Sequence, residues 1–290
     1  MKQHAFLIII LGMTIIVAGC KNKSAEKTPE EKLSELESNL GKVVPPLRSF
    51  DDLAAFMNMT NLSYVENLGH DPMKVNQYDS DPFFAAGAMG LYTADALYKL
   101  IYHDNESARL SYAAAQQLAS NLGLEEVFID NLITRLEEGM EESGSFLTQM
   151  DEALKESETI LDSDGRNLFF TSFVAGNFIE KSYITFELLL NDPNVQTSTD
   201  TEYRDDLFQL ILERKNPTNE LVKLFDQQIP KEDQGEFINA LKKLNEIYKN
   251  LPDPDDMPGT PTEPRKYREQ IRAAYEQTKI VRDIIVNFGT

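Results

Sequence analysis

The chain has 290 residues, with 48 acidic against 28 basic side chains, a formal net charge of −20 and 41% hydrophobic content. That charge repels nucleic acid and anionic headgroups, which excludes DNA, RNA and bare lipid surfaces as partners, while the apolar content suffices for a sizeable core. A single cysteine, Cys20, excludes an internal disulfide framework.

Lys2 is followed by an apolar run from Ala5 to Ala18 and then by Gly19-Cys20. A charged start, a greasy middle and small residues at the junction predict a secretory signal peptide over residues 1–19; the run is too short for a membrane-spanning helix, which needs about 20 residues. Val17-Ala18-Gly19-Cys20 resembles the lipobox of bacterial lipoproteins. The resemblance implies a diacylglyceryl thiol on Cys20, cleavage before it and acylation of the new amine. Several acyl chains anchor a protein stably where one does so only marginally. Lys21 follows, rather than the aspartate that commonly retains such lipoproteins in the inner membrane, and no acidic cluster comes next. Both features point to the outer membrane and its periplasmic face. Loss of the leader removes Lys2 and leaves a charge of −21.

Residues 20–27 form a polar tether, and residues 28–290 are expected to be one helical domain. Thr28, Pro29 and Glu31 predict a capped helix start, with Leu33, Leu36 and Leu40 on one face and Gly41 as its stop. A second helix is expected around Phe50 to Met59. A long polar connection with His70, Asp71-Pro72 and Tyr78 leads to Asp81-Pro82, an N-cap and first-turn proline. Asn105 is read as the opening of the next helix, which places Ala108, Ser111, Tyr112, Ala115, Leu118 and Leu122 on one face before Gly123. Shorter helices follow around 125–138 and 146–161. Residues 166–190 are apolar nearly all round, as a central buried helix is. Further helices are expected near 202–214, 218–228 and 232–250. Five prolines and three aspartates in 251–264 predict a rigid non-helical strap. Tyr267, Ile271, Ala274, Thr278, Val281, Ile285 and Phe288 form a heptad stripe on the last helix, expected to lie along the bundle.

No stretch alternates with period two, so the fold class is all-α, a single bundle of roughly ten helices. Phe83-Phe84 aligns with Phe169-Phe170, which superposes Gly90 on Gly176, Tyr92 on Phe178 and Asp95 on Lys181. The pattern suggests an internal two-fold duplication. Small residues at Ala85, Ala86, Gly87 and Gly90, and at Ala175 and Gly176, would let two central helices approach closely. Asp95 and Lys181 would then pair across the contact.

Gly90-Leu91-Tyr92-Thr93-Ala94-Asp95-Ala96-Leu97-Tyr98, and the later Ala175-Gly176-Asn177-Phe178-Ile179-Glu180-Lys181-Ser182-Tyr183, give the chain a resemblance. It resembles a family of uncharacterised all-helical lipoproteins of Bacteroidota-type bacteria, in which a Gly-rich GxYxAD-like helix precedes a GGWIEGLY-like one. Phe178 stands where that family's tryptophan would be. The resemblance brings no activity with it.

Catalytic signatures are missing: no HExxH, GxSxG, paired cysteines or phosphate-cradling loop occurs. His70 and His103 are read as exposed loop histidines beside aspartates. Asp162-Ser163-Asp164-Gly165 has part of a calcium loop, but the register puts Ile160 and Thr171 where carboxylates are required. Asp253, Asp255 and Asp256 are read as hydrated loop acids. The expectation is therefore a non-enzymatic, lipid-anchored binding or scaffold module with no cofactor and no metal, meeting the membrane through its anchor and an envelope protein as partner. The alternative is a binding protein for a small molecule or cation, with a pocket near Tyr92, Asp95, Tyr98, Phe178 and Lys181, polar groups set in apolar helices.

Overall fold

A computed structural model describes residues 63–124, 167–191, 209–253 and 268–290. Helix makes up 79% of these residues and no strand occurs among them, so the described part of the chain is all-α. Cys20, the tether, the helices expected at 28–59 and 125–161, Asp162 to Gly165 and most of the strap lie outside the described residues.

Aspartates start the first elements described. Asp71 accepts the Met73 N–H and opens a 3-10 helix, Pro72–Tyr78, in what the sequence reads as plain connection. The Asp81 carboxylate accepts from the Phe83 and Phe84 N–H groups and, with Pro82 in the first turn, opens α1, Pro82–Ile101. His103, in the left-handed region at φ 59°, reverses the chain. Asp104 then caps α2, Asn105–Asn121, through the Ser107 N–H. The cap is thus one residue earlier than expected, and Asn105 is already helical.

α1 is buried on every side from Ala85 to Leu100, as its even apolar distribution requires. Its main partner is α3, Asn167–Asn191, and α2 covers its other flank. The two central helices cross where glycines remove the side chains between them. A Cβ on Gly90 would lie 2.2 Å from the Phe173 carbonyl oxygen, and one on Gly176 would lie 2.0 Å from that of Gly87. Only hydrogen fits there. Polar side chains of α3 use this proximity: Ser172 Oγ donates to the Phe83 carbonyl at 2.7 Å and Asn177 Nδ2 to that of Gly90 at 3.3 Å.

Residues 209–212 are helical, and after a turn α4 spans Lys215–Gln228. It starts before the expected 218 because Pro217 is tolerated in a first turn, where its missing N–H has no intrahelical partner. The helix expected over 232–250 is interrupted. Lys231–Asp233 forms a 3-10 turn, Gly235 is extended, and α5 runs from Glu236 to Lys249. Lys215 Nζ bonds the Leu251 carbonyl at 2.9 Å and Asp253 Oδ1 at 2.7 Å, which pins the chain where the strap begins. α6, Arg268–Val286, lies against α5 and α3. Its Ile271, Ala274, Thr278, Val281 and Ile285 are all buried, so the stripe packs against the bundle.

Candidate functional site

Two polar features stand out: a network sealed in the core and an open groove at the Asp81 end of α1. The network begins at His70, which is 4% exposed and not the exposed loop histidine that its polar surroundings suggest. The 3-10 helix folds the connection down onto α1. The His70 ring then stacks on Tyr92 at 4.9 Å, and Nε2 shares a 2.8 Å hydrogen bond with the Tyr78 hydroxyl. Burial pushes the imidazole pKa down to about 3, with the positive charges of Arg282 and Lys74 adding to the effect. The ring is neutral.

Asp95 Oδ2 accepts the backbone N–H of His70 at 2.7 Å, and Oδ1 has no hydrogen-bond partner among the described residues. The carboxyl is fully buried, under Gly69, where an added Cβ would lie 2.6 Å from it. Burial first, and the negative Glu180 second, hold it well above the usual carboxylate range, toward the neutral acid. The aspartate therefore meets the histidine's backbone and not its ring, so the two form no proton-relay dyad.

The expected Asp95–Lys181 pair does not form. A buried ion pair instead joins Glu180 on α3 to Arg282 on α6, with Nε 2.6 Å from Oε2 and Nη2 2.8 Å from Oε1. This fork geometry suits a guanidinium better than an ammonium. The Arg282 guanidinium also lies 4.3 Å from the centre of the Tyr183 ring. Burial works against its charge most strongly, but Glu180, with Asp95 and Tyr183 adding to it, outweighs burial and raises its pKa.

Tyr92, Asp95, Tyr98, Phe178 and Lys181 are each 1% exposed or less, so the candidate pocket residues are part of the packed core. Tyr92 donates to the Asp71 carbonyl at 3.0 Å, and Tyr98 accepts the Val65 N–H at 3.0 Å. Both tie the 63–78 segment to α1. Among the described residues, no three His, Cys, Asp or Glu side chains converge as a metal site, and no helix is long and apolar enough to cross a membrane.

The buried histidine makes stability depend on pH. Its folded pKa lies below the unfolded value of about 6.5, so its contribution is complete above that pH and is lost as pH falls toward 3. Asp95, raised in the fold, acts with the opposite sign, losing its contribution as pH rises above about 4. Urea unfolding of native and His70→Gln chains separates the two. The native advantage should shrink by about 3–5 kcal/mol between pH 7 and pH 3. A constant difference would mean that the ring is hydrated.

The groove has a volume of about 980 Å³, is open to solvent and is mostly apolar. It lies between the start of α1, Leu168 of α3, the α4–α5 junction and the end of α6. Phe83 and Phe84 come from the first turn of α1, Phe237 from that of α5, and Phe288 stacks on Phe84 at 4.1 Å. Gln228 is in its wall: its Nε2 donates to Thr171 Oγ1 at 2.8 Å, and its buried carbonyl oxygen has no partner among the described residues. Asp81, Asp233, Glu236 and Asp283 also line the groove, and no lysine, arginine or histidine does so among the described residues. The heptad count on α6 passes over this surface. Ile280 and Ile284 precede the stripe residues Val281 and Ile285 by one position and form a second apolar row, the signal that would have revealed it.

No family model, no curated protein and no solved structure matches the chain.

Proposed function

We propose that the protein is a non-catalytic, lipid-anchored module of the bacterial envelope that binds or scaffolds another envelope component through the groove. The observation that carries this reading is the groove itself, about 980 Å³ of open, mostly apolar space on an acidic molecule. Clefts of this kind are where proteins take up ligands and partner segments. The placement of His70 and Asp95 in the sealed core supports binding over catalysis, because neither offers a reacting atom to a substrate. The anchor rests on Val17-Ala18-Gly19-Cys20 and puts the domain on the outer membrane, facing the periplasm. The reading includes the roughly ten-helix bundle, with α1 and α3 as the counterparts of an internal duplication.

Metabolic labelling with an alkynyl fatty acid and in-cell crosslinking, each run on native and Cys20→Ala chains, test it together. The native chain should be labelled, fractionate with the outer membrane and crosslink reproducibly to one envelope protein. The variant should lose all three. An unlabelled native chain overturns the anchor, and identical crosslinks from both chains overturn the role of anchoring in the assembly.

A further inference from the structure

The occupant of the groove can be specified by its chemistry, on the basis of the binding role proposed above. We propose that the groove receives an amphipathic helix of a partner protein, entering by an apolar face and flanked by lysine or arginine. Three properties of the site lead there.

The first is its wall. Ile280 and Ile284 from α6 face Phe83, Phe84, Phe237 and Phe288, so the floor matches aliphatic and aromatic side chains repeating at three and four positions. Ile280 is 47% exposed, a large apolar side chain left uncovered at the edge. The second is its openness. A small molecule is held by burying most of its surface, which an open groove does not do, whereas a docked helix needs only one face covered.

The third is charge. Asp81 is engaged as the cap of α1, but Asp233, Glu236 and Asp283 are exposed and make no salt bridge among the described residues. The starts of α1 and α5 also face the groove, and each contributes about half a positive charge. The end of α6 contributes about half a negative one. Four carboxylates outweigh these terms, so the rim is negative and selects a cationic partner.

The test selects a displayed random-peptide library on the purified full chain. Enriched peptides should carry apolar residues at helical spacing with lysine or arginine flanks. A synthetic copy should bind about tenfold more tightly than its twin with glutamate flanks. Ile280→Glu should weaken it about tenfold. The paired change Asp233→Lys and Glu236→Lys alters only exposed side chains and leaves the chain strongly acidic. It should abolish the preference between the twins, because two lysines then balance Asp81 and Asp283. An unchanged preference would assign binding to the general acidity of the protein and overturn the groove as the site. Acidic or unenriched peptides overturn the partner chemistry. Thermal stabilisation by dodecylamine with no peptide enrichment would give the groove to a small amphiphile instead. Concentration-dependent dimerisation abolished by Ile280→Glu would give it to a second copy. These outcomes are read on purified protein, so a groove inference that fails while the Cys20-dependent crosslink persists leaves the envelope role standing.

Discussion

Gly176→Ala is expected to cost about 3 kcal/mol or more, a large share of the stability of an ordinary domain. The new methyl carbon would sit 2.0 Å from the Gly87 carbonyl oxygen and 3.0 Å from the Gly87 Cα. Both atoms are backbone, so no rotamer change relieves the clash. α1 itself cannot retreat, because α2 packs behind it. The helices would have to separate, stretching the Ser172–Phe83 and Asn177–Gly90 hydrogen bonds and opening space along two fully buried faces. The higher helix propensity of alanine returns at most about 1 kcal/mol, so the clash decides the sign. Gly235→Ala is the control, since nothing lies within 4 Å of the added carbon, and it should cost less than about 1 kcal/mol. Equal urea midpoints for the two variants would mean that α1 and α3 do not cross this closely.

Glu180→Gln should cost about 3–5 kcal/mol, because it strands the Arg282 guanidinium without its counter-ion in the core. Glu180 is fully buried and both of its oxygens are used. The Tyr183 ring remains, but a ring quadrupole replaces only part of a full charge. Asp95 modifies the outcome. Its carboxyl is kept neutral by burial and secondarily by Glu180, so the variant lowers the Asp95 pKa and lets it ionise as a substitute partner for Arg282. The loss should accordingly be smaller at pH 8 than at pH 5. Joint replacement of Glu180 and Arg282 by methionine should recover most of the stability, since no charge is then left buried. A single variant as stable as the native chain would show that water reaches Arg282.

The central pair of helices was legible because its signal is local. A run that is apolar all round has to be interior, and the glycines within it mark where backbones meet. The same holds for the aspartate-proline start at Asp81, whose capping geometry spans two or three residues, whereas the like start at Asp71 reads as plain connection because the short 3-10 turn after it has no helical periodicity. The ion-pair partners were not legible. Glu180 and Arg282 are 102 residues apart, and nothing near either one names the other. Asp95 and Lys181 made a plausible pair by helix position alone, but the fork of an arginine fits a buried carboxylate better. His70 reads as exposed from the sequence because its neighbours are polar, and its burial depends on Tyr78 and Tyr92, which only the folded 3-10 turn brings to it. The groove was invisible for a related reason. Most of its wall comes from the starts of two helices, too few residues for a periodic pattern, and the one periodic trace, Ile280 and Ile284 on α6, lies a single position from the stronger stripe of Val281 and Ile285.

The turn after α6 closes onto the 3-10 helix far back in the sequence. Gln77 donates to the Val286 carbonyl across 209 residues, and the Phe288 ring lies over both Phe84 and Tyr78. Tyr78 and Phe84 precede Phe288 by most of the described chain. Until Phe288 docks, Phe84 lacks the ring that stacks on it, so two distant segments must meet before this end of the core is complete. An unfolded chain waiting for that contact offers chaperones an apolar handle beside the groove.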